Sequence, residues 1–317
     1  MKNIMNVSLA MMAISTTSCA GLVKSEVKEH EGRIIEFKSD SNGFDTKSFF
    51  YEGEKEVIAF DSQFTPEIAK QSIAYLRKYT TKPISWLVIT HPNPDKFNGA
   101  SVFKQEGAKI LASENTAKAI PDVHAYKEYY FVEMAKMFPK GQYPQPTLID
   151  QTFIGKMDLV LQGGERIQFQ ELSHSGVSST QTVAYIKTAQ TLIVGDLIHN
   201  QAHAWLEGGI VKGKPTPNIE EWILDLQELE SLYPKSTKVL GGRGVSLELK
   251  ESVKEQTKYL RIARELVRQQ LNEMDPKDSQ FYKVLAQKFQ KQFPNYTLPY
   301  MIEYGAYGLV QSELSVK

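Results

Sequence analysis

The chain has 317 residues, enough for one large domain or one and a half ordinary ones. Hydrophobic residues make up 41% and charged residues 23%, so a packed core is feasible and wholesale disorder is excluded. Lys plus Arg and Asp plus Glu both count 37; with zero formal net charge, no polybasic run and no nucleic-acid module, nucleic-acid binding is not expected.

Residues 1–20 have the layout of a secretory signal: Lys2, an apolar stretch centred on residues 7–14, then small residues. The stretch is too short to span a bilayer. Two cleavage readings stand. Ser18-Cys19-Ala20 suits a cut after Ala20, whereas Cys19 suits a lipid-modified N-terminus, although Thr16 stands where such signals carry Leu. The expected location is therefore exported, either periplasmic or anchored as a lipoprotein, with membrane contact only through a lipid at Cys19. Cys19 is the single cysteine, so the folded part has no disulfide and no thiolate ligand.

Residues 21–30 form a polar leader. Short strands are predicted at 33–37, 48–51 and 57–60, separated by turn-rich segments such as D-S-N-G. Ile68, Ile73, Leu76 and Tyr79 at helical spacing predict an amphipathic helix over 66–79, with Thr65 as N-cap and Pro66 at its first position. W-L-V-I at 86–89 reads as a buried strand and runs directly into the loop T-H-P-N-P-D-K-F-N-G-A at 90–100. A helix over 100–106 and a strand over 108–112 follow. This alternation predicts an α/β class with its chemistry at strand ends.

Residues 124–146, rich in Tyr, Phe, Met and Lys, read as a helical insertion covering one edge of the site; its aromatic stretch reads first as a core-facing helix, with an apolar lid as the alternative. Strands are predicted at 157–161, 166–171, 182–186, 191–194 and 238–240, with an amphipathic helix over 220–233. Residues 248–317 read as mostly helical, with a second helix near 279–293. The domains expected are thus residues 1–20 as signal, 21–247 as the main domain and 248–317 as a helical extension packed on it.

Four separated segments carry a resemblance: V-I-A-F-D-S ending in Asp61, T-H-P-N-P-D-K-F-N-G from Thr90, H-S-G-V-S-S-T from His174, and L-I-V-G-D ending in Asp196. A weaker fifth is V-L-G-G-R-G, with Arg243 where a Gly-His-Gly would stand. Their order and spacing resemble the metallo-β-lactamase superfamily over about residues 30–245. The resemblance implies an α/β (α+β) fold, a four-layer αββα sandwich, here with a helical C-terminal extension. It also implies a groove in which two zinc ions share a hydroxide that attacks an ester, thioester, lactone or amide carbonyl.

Carried over residue by residue, the ligand set is broken. His91, His174, Asp95 and Asp196 match the metal ligands; Asn93, Lys96 and Arg243 replace the other three. Asn93 offers a neutral amide oxygen, a poor zinc ligand. Lys96 and Arg243 cannot ligate while protonated, and Arg stays protonated in any protein environment. Two unit charges about 4 Å apart interact by roughly 4 kcal/mol at an effective dielectric near 20, and a dication facing a cation feels about double that repulsion. The expectation is that Lys96 and Arg243 take over the electrostatic place of the second metal through ion pairs with Asp95 and Asp196, in either pairing. The structural role of Lys96 outweighs that of a base or nucleophile, because two carboxylates nearby raise its pKa. If anything catalytic survives, Asp95 and Lys96 are the candidates.

No cofactor is expected. The alternative is one Zn or other divalent metal at His91 and His174, with Asp196, and a hydrolase built on it. His203, Asn200 and Trp205 are candidates for a substrate-facing wall, with a packed loop as the competing reading, favoured for Trp205 and His199. His30 and His124 carry no motif and read as surface residues. The functional expectation is a protein that has lost zinc hydrolysis and binds a small molecule or a protein partner through the old groove.

Overall fold

The computed structural model describes residues 29–30 and 34–315, so the predicted signal segment and Cys19 lie outside the described residues. Two sheets carry the fold. The first runs β1 (Glu29–His30), β2 (Ile34–Lys38), β3 (Lys47–Glu52), β4 (Val57–Phe60), β5 (Ile84–Val88), β6 (Lys109–Ser113), β7 (Gln151–Phe153), in that spatial order. The second has the order β15 (Leu247–Glu248), β14 (Lys238–Gly241), β11 (Thr191–Gly195), β10 (Thr182–Ile186), β9 (Arg166–Glu171), β8 (Lys156–Val160). A small hairpin of β12 (Gly209–Val211) and β13 (Lys214–Thr216) stands apart from both.

Side chains alternate between the two faces of a strand, and the central strands here are apolar on both, whereas β8 and β9 carry exposed polar residues on one. Phe49, Tyr51, Ile58 and Phe60 point inward to meet Ile167, Phe169, Ile193 and Leu240 of the second sheet. Their neighbours Phe50, Val57 and Ala59 point outward under α1 (Pro66–Leu76), α2 (Pro94–Phe97), α3 (Ala100–Gln105) and α4 (Glu114–Tyr129). On the far side, Leu192, Val194 and Val239 lie under α5 (Ile219–Leu232), α6 (Leu249–Glu273), α7 (Phe281–Gln292), α8 (Tyr300–Gly305) and α9 (Tyr307–Ser315). The result is the four-layer αββα sandwich with a helical C-terminal region.

Local signals act as anticipated at α1, where Thr65 accepts from the Ile68 N–H and Pro66 occupies the first turn. The helix stops at Leu76, short of Tyr79. The predicted 124–146 insertion is displaced. Its helix starts ten residues earlier, capped by Ser113, and tolerates Pro121 inside. It ends in a π-helical turn at Tyr130–Met134, and residues 135–150 are irregular. His124 is not a surface residue. It is 7% exposed, bonds to the Pro144 carbonyl at 2.9 Å and packs on Phe97 and Tyr143.

Candidate functional site

Strand direction assembles the site. β4 and β5 are parallel, so Asp61 and the 90–97 loop leave the first sheet at the same edge. β11 and β14 are parallel as well, which brings Asp196 beside Arg243 at the edge of the second sheet. The two edges meet, and four strand ends deliver their charges to one buried cluster.

Lys96 is fully buried, with Nζ 2.8 Å from Asp196 Oδ1, 2.9 Å from Asp95 Oδ2 and 3.9 Å from Asp61 Oδ2. Arg243 donates from Nη1 to Asp196 Oδ2 at 2.7 Å and from Nη2 to Asp95 Oδ2 at 3.0 Å. Both anticipated pairings therefore occur at once. The remaining guanidinium contacts go to Thr46 Oγ1 at 2.9 Å and the Phe44 carbonyl at 2.8 Å. Phe44 and Asp45 both take left-handed backbone angles, φ 58° and 52°, which Asp tolerates and a bulky residue such as Phe seldom adopts. Gly242 permits the close approach: an added Cβ would collide with Asp196 Oδ1 and press on Lys96 Nζ.

Burial and charge compete at each group. Burial works against the Lys96 cation, but Asp196, Asp95 and Asp61 outweigh it and raise its pKa. Burial alone would raise Asp95; Lys96 and Arg243 instead bring it down to about 2. Asp196 is held well below the usual carboxylate range by Arg243 and Lys96 against the same burial. At Asp61 burial wins, and its pKa rises to about 6 despite Lys96 and His91. Lys96 is thus held as an ammonium, unsuited to act as base or nucleophile.

Two imidazoles flank Asp196. Thr90 directs its hydroxyl to Asp61 at 2.9 Å and lies 3.0 Å from His91 Nδ1, which assigns the Nδ1 proton to His91. His199 Nδ1 lies 3.3 Å from the His203 carbonyl and is likewise the protonated nitrogen. The Nε2 atoms of His91 and His199, 3.7 and 3.8 Å from Asp196, are buried without a hydrogen-bond partner among the described residues. Burial keeps His199 neutral, with its pKa lowered to about 4.

His174 is elsewhere. Its Nδ1 lies 2.7 Å from Glu221 Oε2 and its backbone N–H donates to Asp225, so it faces α5 and shares no partner with His91. The expected wall is also only partly realised. Asn200 and His203 are buried against the C-terminal helices, bonded to Ser252 at 2.9 Å and Tyr259 at 3.3 Å. Trp205, expected to be packed away, reaches the groove.

Above the ion-pair cluster lies a depression open to solvent. Asn93, Asp95, Asp196 and Arg243 form its floor; Phe44, Phe64, Phe131 and Trp205 form its walls. Lys127 lines one side and pairs with buried Glu207, which also accepts from Trp205 Nε1 at 2.9 Å. Phe44, Thr46, Phe64, Lys127 and Glu207 were not singled out in the sequence. Only the aromatic run that contains Phe131 gave a signal.

The zinc pair that the resemblance implies does not fit these residues. Its second site would place a dication on Lys96 Nζ and the Arg243 guanidinium, which already bond both oxygens of Asp196. Its first site would need His174, which is turned to Glu221. Among the described residues no three His, Cys, Asp or Glu side chains converge as a metal-holding group.

Three solved structures show the fold. A metallo-beta-lactamase from Pontibacter korlensis matches with TM-score 0.58 and 17% identity, over 75% of this chain and 99% of its own. The FIM-1 metallo-beta-lactamase from Pseudomonas aeruginosa, in its mono-zinc form, matches with TM-score 0.57 and 13% identity, over 75% and 96%. DIM-1 metallo-beta-lactamase matches with TM-score 0.55 and 16% identity, over 75% and 97%. No curated protein matches the chain in sequence. The sequence model of the metallo-beta-lactamase superfamily matches residues 42–236, which is more than half of the chain, and together with the αββα sandwich and its strand-end cluster this makes the chain a member of that superfamily.

Proposed function

We propose that this chain is an exported protein of the superfamily that does not carry out two-metal hydrolysis and instead binds a small molecule in the groove above the ion-pair cluster. One observation carries the reading. Lys96 and Arg243 stand at ligand positions and each bonds to both Asp95 and Asp196. The cluster meets the carboxylate charge with the protein's own cations, so these carboxylates need no metal to neutralise them. Concave, aromatic-lined ground with a few convergent polar groups is what a small-molecule site requires. The alternative, a hydrolase with one metal at His91 and His174, draws no support from a His174 that faces Glu221.

Metal analysis of the protein purified without chelator or added zinc tests this. The expected content is far below one metal per chain. A content of about one zinc or iron per chain, the stoichiometry of a resident single-metal site, would overturn the reading.

A further inference from the structure

We infer that the depression binds a small organic cation, an ammonium group on a short apolar body, with the charge set against Asp95 and the body between the aromatic walls. This rests on the groove being a binding site rather than a zinc centre. Three observations point to a cation.

The first is an acceptor with spare capacity. Thr46, Lys96 and Arg243 all bond to Asp95 Oδ2, so Oδ1 has no partner among the described residues and the carboxylate lines the floor. The Asn93 side chain, beside it on the same floor, makes no capping bond either.

The second is charge balance. Among the described residues the three carboxylates Asp61, Asp95 and Asp196 meet two permanent cations, Lys96 and Arg243, with the imidazoles of His91 and His199 beside Asp196, while Lys127 pairs with Glu207. Carboxylates thus outnumber permanent cations by one in the cluster beneath the opening, and a carboxylate ligand would meet Asp95 on the lining.

The third is the walls. Phe44 meets Phe64 edge-on at 4.8 Å, Phe64 meets Phe131 at 5.0 Å, and Phe44 meets Trp205 at 6.0 Å. Ring faces attract cations through their quadrupole. This molecule already uses Trp205 and Tyr130 in that way for its own Lys127, whose Nζ lies 5.2 and 5.8 Å from the two rings.

Titration calorimetry with n-butylammonium chloride, 1-butanol and sodium butyrate separates head-group charge from apolar body. Butylammonium should bind about tenfold tighter than butanol, the ratio that one such charge contact supplies, and butyrate weakest of the three. Asn93→Asp adds a charge on the floor outside the ion-pair cluster. It should tighten butylammonium by about threefold or more and leave butanol unchanged. Equal or better binding of butanol or butyrate overturns the cation assignment and leaves the groove as a binding site. No measurable binding of butylammonium to protein whose far-ultraviolet dichroism is intact overturns it too, as does an Asn93→Asp variant with unaltered ammonium affinity. Stoichiometric metal in the purified protein overturns the underlying reading instead.

Discussion

Lys96 is an ammonium with no exposed surface, held among three carboxylates. Breaking a buried ion pair by removing one partner leaves an uncompensated charge, which costs about 3–5 kcal/mol. Lys96→Met keeps the volume of the stem and removes the charge, so Asp95 and Asp196 would then share Arg243 alone and Asp61 would lose its lysine partner. The expected outcome is a loss of about 3–5 kcal/mol in urea unfolding at neutral pH. That loss should shrink toward acid, where the carboxylates take up protons. A variant as stable as the parent would show that the cluster is not holding the two sheet edges together. The identity of these residues was legible in the sequence, because Lys and Arg at ligand positions have one obvious use beside Asp. The double pairing was not, since it depends on how far Arg243 reaches from β14.

The C-terminal helices do more than cover the second sheet. Gln256 on α6 accepts the His199 N–H at 2.9 Å, and Tyr259 accepts the Ala204 N–H at 3.1 Å. Between them they hold the segment that carries Trp205 to the groove. Gln256→Leu keeps the bulk but leaves the His199 N–H buried without an acceptor, a penalty of about 1–3 kcal/mol. The expected result is a lower urea midpoint with an unchanged m-value, together with weaker ligand binding as Trp205 loosens. A binding loss without a stability loss would mean that Gln256 acts by another route. The periodicity of α6 predicted a helix, and Asn200 and His203 read as wall candidates because they follow Asp196 closely. Their inward turn follows from contacts more than fifty residues away, with Ser252 and Tyr259. No local pattern encodes that distance.

Four buried groups set how the whole molecule responds to pH. Burial raises Asp61 to about 6 and Asp225 to about 7, so the folded chain holds protons there that an unfolded chain loses above 3.8. Burial lowers His199 and His203 to about 4, so the folded chain lacks protons that an unfolded chain holds below 6.5. Between about pH 4 and 6 two protons are gained and two are lost, and the stability slope cancels. Below that window Asp95 and Asp196, whose folded pKa values are depressed, contribute stability that is present above their unfolded value and lost as pH falls through the folded one. Stability from urea unfolding should therefore be flat from about pH 4 to 6 and collapse in stronger acid. Asp61→Asn removes one of the two raised carboxyls and leaves one histidine proton uncompensated. Its stability should rise with pH by about 1.4 kcal/mol per unit across the same window. The same slope in the parent protein would mean that the cancellation is absent.

The sequence alone determined the α/β class and four of the strand ends that carry the cluster, because apolar runs of strand length and the turn residues after them are local signals; the αββα sandwich came from the resemblance of its motifs to the superfamily. It also marked the ligand positions at which cations stand, since chemistry at a motif position is read from residue type. Tertiary structure alone decided that His174 turns to Glu221, that Lys96 and Arg243 each bridge both carboxylates, and that Phe44, Phe64, Phe131 and Trp205 close into one wall. Each of these depends on side chains from segments far apart in the chain, whose meeting is set by parallel strand pairing and by the packing of the C-terminal helices, and neither leaves a trace in the spacing of neighbouring residues.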